Sequence, residues 1–288
     1  MQIEGLSWFP GHMTKTKRMI VAEIKNVDAV CEILDARIPL SSRNPDVDEM
    51  TAGKPRLVVL NRVDQADPRE TKRWASYFRG KGCAVLEANA KGGMGTAQFA
   101  AAVRELLRDK LAAYAEKGQI GRTVRVMVLG IPNVGKSTFI NKVAHRKTAK
   151  AEDRPGVTRG KQWVPVDKTL ELLDTPGILW PKFEDPDVGV RLGFTGAIRD
   201  DVMDMEDLAS RLMAYLGAHY PEALTERYKI AVEPGEPGWE LLEKAGRKRG
   251  FLMSGGEVNT ERMARILLDE YRAGKLGRFT LELPEENA

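Results

Sequence analysis

Gly130-Ile-Pro-Asn-Val-Gly-Lys136-Ser137 places two glycines, a lysine and a hydroxyl at the spacing GxxxxGK[ST]. Glycines there let backbone N–H groups curl around phosphates, the lysine reaches the β and γ oxygens, and the hydroxyl ligates Mg²⁺ at the positive end of a helix. The nucleotide-binding residues expected from this stretch are Asn133, Val134, Gly135, Lys136, Ser137 and Thr138. Downstream, Asp174-Thr-Pro-Gly177 closes an apolar run. Alone it is a common turn. At a strand end after a phosphate loop, the Asp174 carboxylate is expected to hold Mg²⁺, directly or through its water, and the Gly177 N–H to meet a γ-phosphate. Between the two lies Arg154-Pro-Gly-Val-Thr158, a loop whose Thr158 hydroxyl completes the metal shell when a triphosphate is bound.

Two further stretches carry base chemistry. Asn61-Arg62-Val63-Asp64 follows the apolar run RLVVL. A buried Asp64 carboxylate accepts from both N1–H and the exocyclic amine of guanine, a donor pair that adenine lacks. Asn89-Ala90-Lys91 follows AVLE and is expected to offer the Ala90 N–H to the guanine O6. Either stretch is weak by itself; together with the phosphate loop they favour guanine, and Asp64 argues against an ATPase.

These residues need strands to end where they begin. Residues 27–34, 56–60, 84–87, 124–129 and 169–173 are short apolar runs, and 68–79, 96–116 and 137–144 have helical character. In 96–116 the face is marked by Phe99, Val103, Leu106, Leu107 and Leu111. Alternation of this kind predicts an α/β domain with a mostly parallel sheet covered on both faces, with ligands beyond the C-terminal strand ends. From about Pro186 the pattern is helical: Leu208, Leu212 and Leu216 share a face, 233–238 reads as a loop, and a last helix starts at Asn259 as N-cap, buries Met263, Ile266 and Leu267, and ends near Gly274. The expected domains are therefore 1–185 and 186–288.

Composition bounds the partners. The chain of 288 residues is 42% hydrophobic and 30% charged, and no run approaches the ~18 apolar residues of a membrane span. The N-terminal stretch has no apolar signal core, and Cys31 and Cys83 read as reduced thiols of a cytoplasmic protein. With no CxxC pair and three histidines, a structural zinc site is not expected. Residues 1–185 carry a net charge of +9 and residues 186–288 one of −5, yet 244–278 is locally basic. Charge alone leaves that stretch open between a solvated face and a polyanion contact.

The order of these motifs, base loops before phosphate loop, resembles that of the circularly permuted GTPases. Within them WFPGHM (8–13), DARIPLSSRNP (35–45), GIPNVGKST (130–138), LLDTPGILWPKFED (172–185) and KRGFLMSGG (248–256) resemble the ribosome biogenesis GTPase A (RbgA/YlqF) family over nearly the whole chain. The resemblance implies a permuted P-loop GTPase domain that hydrolyses GTP with Mg²⁺ and acts late in maturation of the large (50S) ribosomal subunit. It also implies a smaller all-helical RNA-binding domain. The partner so implied is the large-subunit precursor, 23S rRNA and ribosomal proteins, met by a monomeric cytoplasmic protein that contacts no membrane and is stimulated by the particle. RNA contacts fall on Arg247, Lys248, Arg249, Arg262, Arg265 and Lys275 beside the turn at 254–256, with a second strip at His12, Lys15, Lys17 and Arg18.

Two residues depart from the family pattern: Arg62 stands where Lys is usual, and Asn89 where Ser is usual. The position after Gly177, which in many GTPases is a water-orienting Gln, is Ile178, followed by Leu179 and Trp180. An apolar side chain cannot orient water, so intrinsic hydrolysis is expected to be slow. The resemblance implies two other sources of catalysis beside Lys136. Asn133 would help hold a K⁺ ion, the alternative being purely structural hydrogen bonds. His12 would act on the water, the alternative being a loop histidine that binds RNA or packs beside Trp8 and Phe9. The segment after Gly177 also runs directly into the second domain, so nucleotide state is expected to change how that domain is held. A regulatory switch that binds a protein partner and no RNA is the competing reading.

Overall fold

The computed structural model describes residues 10–51, 53–145, 161–180 and 183–284. Six strands, β1 (Ala29–Asp35), β2 (Arg56–Asn61), β3 (Ala84–Glu87), β4 (Val124–Leu129), β5 (Gln162–Asp167) and β6 (Leu170–Asp174), form one sheet in the order β3-β2-β1-β4-β6-β5. All neighbours are parallel except β5, which pairs antiparallel with β6. β1 is buried at every residue, as a central parallel strand covered on both faces must be. Its register sets Asp35 beside Asn61 and Glu32 beside Leu129. The C-terminal ends of β1, β2, β3, β4 and β6 therefore share one edge of the sheet, from which the motif loops leave.

Helices α1 (Pro10–Glu23), α2 (Val47–Met50), α3 (Pro68–Gly80), α4 (Phe99–Leu106), α5 (Arg108–Glu116) and α6 (Lys136–Val143) accompany this sheet. Asp67 caps α3, accepting from the Arg69 and Glu70 N–H groups, with Pro68 at the first turn. Trp74, Ala75 and Phe78 of α3 bury against Leu34, Val58 and Leu60. The single helix expected over 96–116 is instead a 3₁₀ turn (Thr96–Gln98) followed by α4 and α5, broken at Leu107, where φ is −104°. Phe99, Val103 and Leu107 are buried; Leu106 and Leu111 are only half-buried. β5 had no counterpart in the sequence pattern.

The chain divides into two compact units, Met1–Glu184 with Thr280–Ala288, and Asp185–Phe279. The expected division at 185/186 runs to 288 on its C-terminal side; here residues 280–282 belong with the sheet instead. The reason is a set of hydrogen bonds. Leu281 N–H donates to Arg37 O (2.8 Å), Asp67 N–H to Thr280 Oγ1 (3.1 Å), and Trp74 Nε1–H to Glu282 O (3.0 Å). The Glu282 carboxylate accepts from the N–H groups of Leu40 (2.7 Å) and Ser41 (3.0 Å) and from the Ser41 hydroxyl.

The second unit contains α7 (Pro186–Thr195), α8 (Met205–His219), α9 (Pro221–Tyr228), α10 (Gly238–Lys248) and α11 (Thr260–Arg272). Its core includes Leu208, Leu212, Leu216, Leu241, Leu242, Met263 and Leu267. Asn259 caps α11 through its side chain, which accepts from Arg262 N–H; Ile266 is half-buried, and Leu268 is buried in the place expected for it. Glu270 is nearly enclosed and accepts from Tyr228 OH (2.8 Å), Arg227 Nε–H (3.1 Å) and Arg249 Nη2–H (3.0 Å).

Candidate active site

The phosphate loop turns through Asn133 (φ +60°) and Gly135 (φ +93°) before α6 begins at Lys136. Gly135 cannot be larger, because a Cβ there would lie 2.4 Å from Asn61 Nδ2. That close approach is the centre of the site. Asn61 Nδ2–H donates to Val134 O (2.8 Å), and Asn61 Oδ1 accepts from Ala90 N–H (3.0 Å). One buried amide thus ties the phosphate loop to the loop after β3. The Ala90 N–H, expected at O6 of the base, donates here to Asn61; the spacing of the two motifs could not reveal a partner 29 residues away. Asn89 shapes its own loop, its Oδ1 accepting from Gly92 N–H at 2.9 Å.

Arg62 lies in the left-handed region (φ +62°) and reaches back across the site, Nη2–H donating to Asn133 O at 3.0 Å. Its Nε is 3.6 Å from Asp35 Oδ2. Asp35 is itself buried and held by Arg37 through two side-chain hydrogen bonds of 2.9 and 2.7 Å. Burial works to raise the Asp35 pKa, but the Arg37 and Arg62 guanidiniums override it and hold the carboxyl below its ordinary range. In the sequence DARIPLSSRNP stands only as a resemblance, and the role of Asp35 and Arg37 in seating Arg62 is missed there. The available signal was a carboxylate and a guanidinium two residues apart at a strand end. Asp64, expected as a buried acceptor, is exposed on the turn that follows, where Gln65 N–H donates to Arg62 O.

Lys136 is buried, and its ammonium donates to Asp174 Oδ1. Burial pushes the Lys136 pKa down while Asp174 works to raise it. The expected phosphate-binding cation and the expected metal-binding carboxylate are therefore in direct contact, with Ser137 one residue further along on the first turn of α6. Two hard oxygen donors beside a buried cation suit Mg²⁺ with phosphate oxygens. The Gly177 loop is fastened to the phosphate loop: Ile178 N–H donates to Gly130 O (3.2 Å), and a Cβ on Gly177 would lie 2.9 Å from Pro132 N. Thr138 is half-buried on α6. Thr158 lies outside the described residues. His12 falls within α1, but its side chain lies outside them too.

The basic residues expected at RNA sit in the second unit. Arg247, Lys248, Arg262, Arg265 and Lys275 are exposed, Arg247 and Arg265 pairing with Glu243 and Glu261 one turn away. Arg262 stacks on Phe251 at 4.3 Å. Arg249 differs: it is half-buried against Glu270 and stacked over Tyr228 at 5.1 Å, so its charge is spent inside the unit. Among the described residues no helix is long and apolar enough to cross a membrane.

The sequence pattern of a family described as "50S ribosome-binding GTPase" matches residues 125–214. The chain is similar to ribosome biogenesis GTPase A of Bacillus cereus, with 49% identity over 281 residues, 98% of this chain and 95% of that protein. Two solved structures of YlqF from Thermotoga maritima share the fold. The GDP-bound one has a TM-score of 0.65 at 28% identity over 93% of this chain and 100% of its own. The GNP-bound one has a TM-score of 0.64 at 29% identity over 94% and 99%. Likeness of this extent, carried over a sheet whose base loops precede its phosphate loop, makes the chain a member of the ribosome biogenesis GTPase A family, an enzyme that hydrolyses GTP.

Proposed function

We propose that the protein is an assembly factor for late maturation of the large (50S) ribosomal subunit, binding the precursor particle through 23S rRNA and ribosomal proteins and hydrolysing GTP when stimulated by it. The observation that carries this reading is Ile178. Its backbone is fastened to Gly130, and its side chain is apolar at the position where a water-orienting group would stand. The chemistry must therefore be completed by a group other than the residue after Gly177, one that a partner supplies or sets in place. A partner that completes it makes hydrolysis report on that partner's state, and the names of the relatives make a ribosomal particle the partner of choice.

In this reading Lys136 leaves Asp174 for the β and γ oxygens when nucleotide enters, and the backbone of 133–138 cradles the phosphates. Ser137, Asp174 and Thr158 would hold Mg²⁺, which supplies charge neutralisation on the phosphoryl oxygens. Asn133 would hold K⁺ in the role of an arginine finger, and His12 would position the water. Asp64 reads the guanine ring, with Asn61 and Arg62 holding the loops around it. Arg247, Lys248, Arg262, Arg265 and Lys275 contact rRNA, and the protein works as a monomer in the cytoplasm. GTP hydrolysis in potassium buffer with large subunits, small subunits or neither, repeated in sodium buffer, tests the reading. Stimulation by large subunits alone, and in potassium alone, is expected. Equal slow rates in every tube would leave a guanine-nucleotide switch with a different partner.

A further inference from the structure

At the edge of the sheet away from the nucleotide loops, where β1 and β4 begin, the first unit has a recess of about 400 Å³. Five cations line it, from four stretches of the chain: Lys25 after α1, Lys54 before β2, Lys110 on α5, and Arg122 and Arg125 at the start of β4. Asp28 is the acid among its lining residues. That carboxylate does structural work, since its two oxygens accept from Lys110 Nζ (2.7 Å) and Arg125 N–H (3.0 Å). Lys54 Nζ donates to Val27 O at 2.7 Å, which fixes its charge on the lining. Two more of the cations are braced on aromatic faces, Arg122 over Tyr114 at 4.3 Å and Arg125 over Trp163 at 5.1 Å. Arg125 is also 3.4 Å from Glu171, an acid outside the recess.

We propose that this recess is a phosphate-binding site for RNA backbone, separate from the GTP site and from the basic face of the second unit. Like charges gathered from four stretches of the chain repel one another, and the two carboxylates, Asp28 paired with Lys110 and Glu171 paired with Arg125, leave the set net positive. A ligand that brings several negative charges to a concave surface balances it. The lining is mostly polar, so it offers little to the apolar side chains of an acidic peptide, whereas phosphates need only donors and positive charge. The inference rests on the proposed contact with ribosomal RNA and adds a place for it on the GTPase unit, at the far end of the strands whose other ends hold the nucleotide.

The test uses the full chain with Lys25→Glu and Arg122→Glu together, both exposed and both outside the GTP site. Lys72→Glu with Lys81→Glu, exposed on or just after α3, gives the same change in charge elsewhere. Binding to purified large-subunit rRNA is measured across salt concentrations, with inorganic polyphosphate and polyglutamate as competitors. Basal GTP hydrolysis and melting temperature are followed in parallel. The recess pair is expected to weaken rRNA binding by roughly tenfold and to flatten the slope of log K against log salt by about 2, near 0.9 for each phosphate that is no longer neutralised. Basal hydrolysis is expected to be unchanged and the variant to stay folded at the temperature of the binding assay, the melt falling by no more than loss of the Arg122–Tyr114 contact explains. The α3 pair is expected to bind as the parent does. Equal binding by parent and recess pair would overturn this site while leaving the proposed function standing. Failure of the parent to bind rRNA at any salt would overturn both. Competition by polyphosphate or polyglutamate as effective as that by rRNA, charge for charge, would overturn the assignment to RNA.

Discussion

At the scale of single residues, Asn61 and Glu270 illustrate how one buried polar group can hold several others. Asn61→Ala removes both bonds of the amide and leaves Val134 O and Ala90 N–H without it. We expect it to cost about 2–3 kcal/mol, shared between stability and nucleotide binding. Titration with GDP and a GTP analogue should show both weakened by at least about tenfold, about 1.4 kcal/mol. Unchanged affinities would mean that the two loops hold their places without the amide. Glu270 gives a pH signature. Burial works to raise its pKa, but the hydrogen bonds from Arg227, Tyr228 and Arg249 bring it down to about 2 from an ordinary 4.5. A folded-state pKa below the unfolded one stabilises the protein above pH 4.5. That stability, at most about 3 kcal/mol, is lost as pH falls through about 2. Against Glu270→Gln, the parent's advantage in denaturant melts should be full at neutral pH and gone at the acid end. The residues expected at phosphate and base stood out in the sequence because short backbone loops demand particular side chains. Asp35, Arg37 and the engagement of Ala90 were not, because contacts between separate strand ends exist only once the sheet has formed.

At the scale of elements, strand ends and caps were legible where local chemistry decides them. The parallel strands read as continuous apolar runs, and Asn259 announced α11. β5 escaped because Pro165 within QWVPVD argues against a strand, and only an edge position accommodates it. The break at Leu107 escaped because apolar spacing continues across it. Helix-on-helix packing in the second unit depends on Gly238, the first residue of α10. A Cβ there would lie 1.8 Å from Ser210 O and 2.8 Å from Ala214 N, both backbone atoms of α8. Neither can step aside as a side chain would. Gly238→Ala should therefore destabilise the second unit by about 1–3 kcal/mol, the range for overpacking. Thermal melting with GTP hydrolysis measured alongside would show a lowered transition with basal turnover retained below it. An unchanged melt would mean that α8 and α10 have room to separate.

At the scale of the whole molecule, the division into a sheet unit and a helical unit was legible from the change in pattern near Pro186. The return of residues 280–282 was not, since RFTLELP resembles any short apolar tail. Glu282→Ala should expose its cost. The mutation leaves the N–H groups of Leu40 and Ser41 without their acceptor in the turn that follows Asp35 and Arg37. We expect a loss of about 2–4 kcal/mol from the sheet unit. Nucleotide binding should weaken with it, because the same turn carries the pair that seats Arg62; an equilibrium melt and a GDP titration on one preparation check both. The return also orders events in time. Synthesis delivers 185–279 before 280–282, so the nucleotide unit, begun first, is finished last. A chain still short of Thr280 lacks the clasp on the turn after β1, and full guanine-nucleotide affinity is expected only after the helical unit has been made.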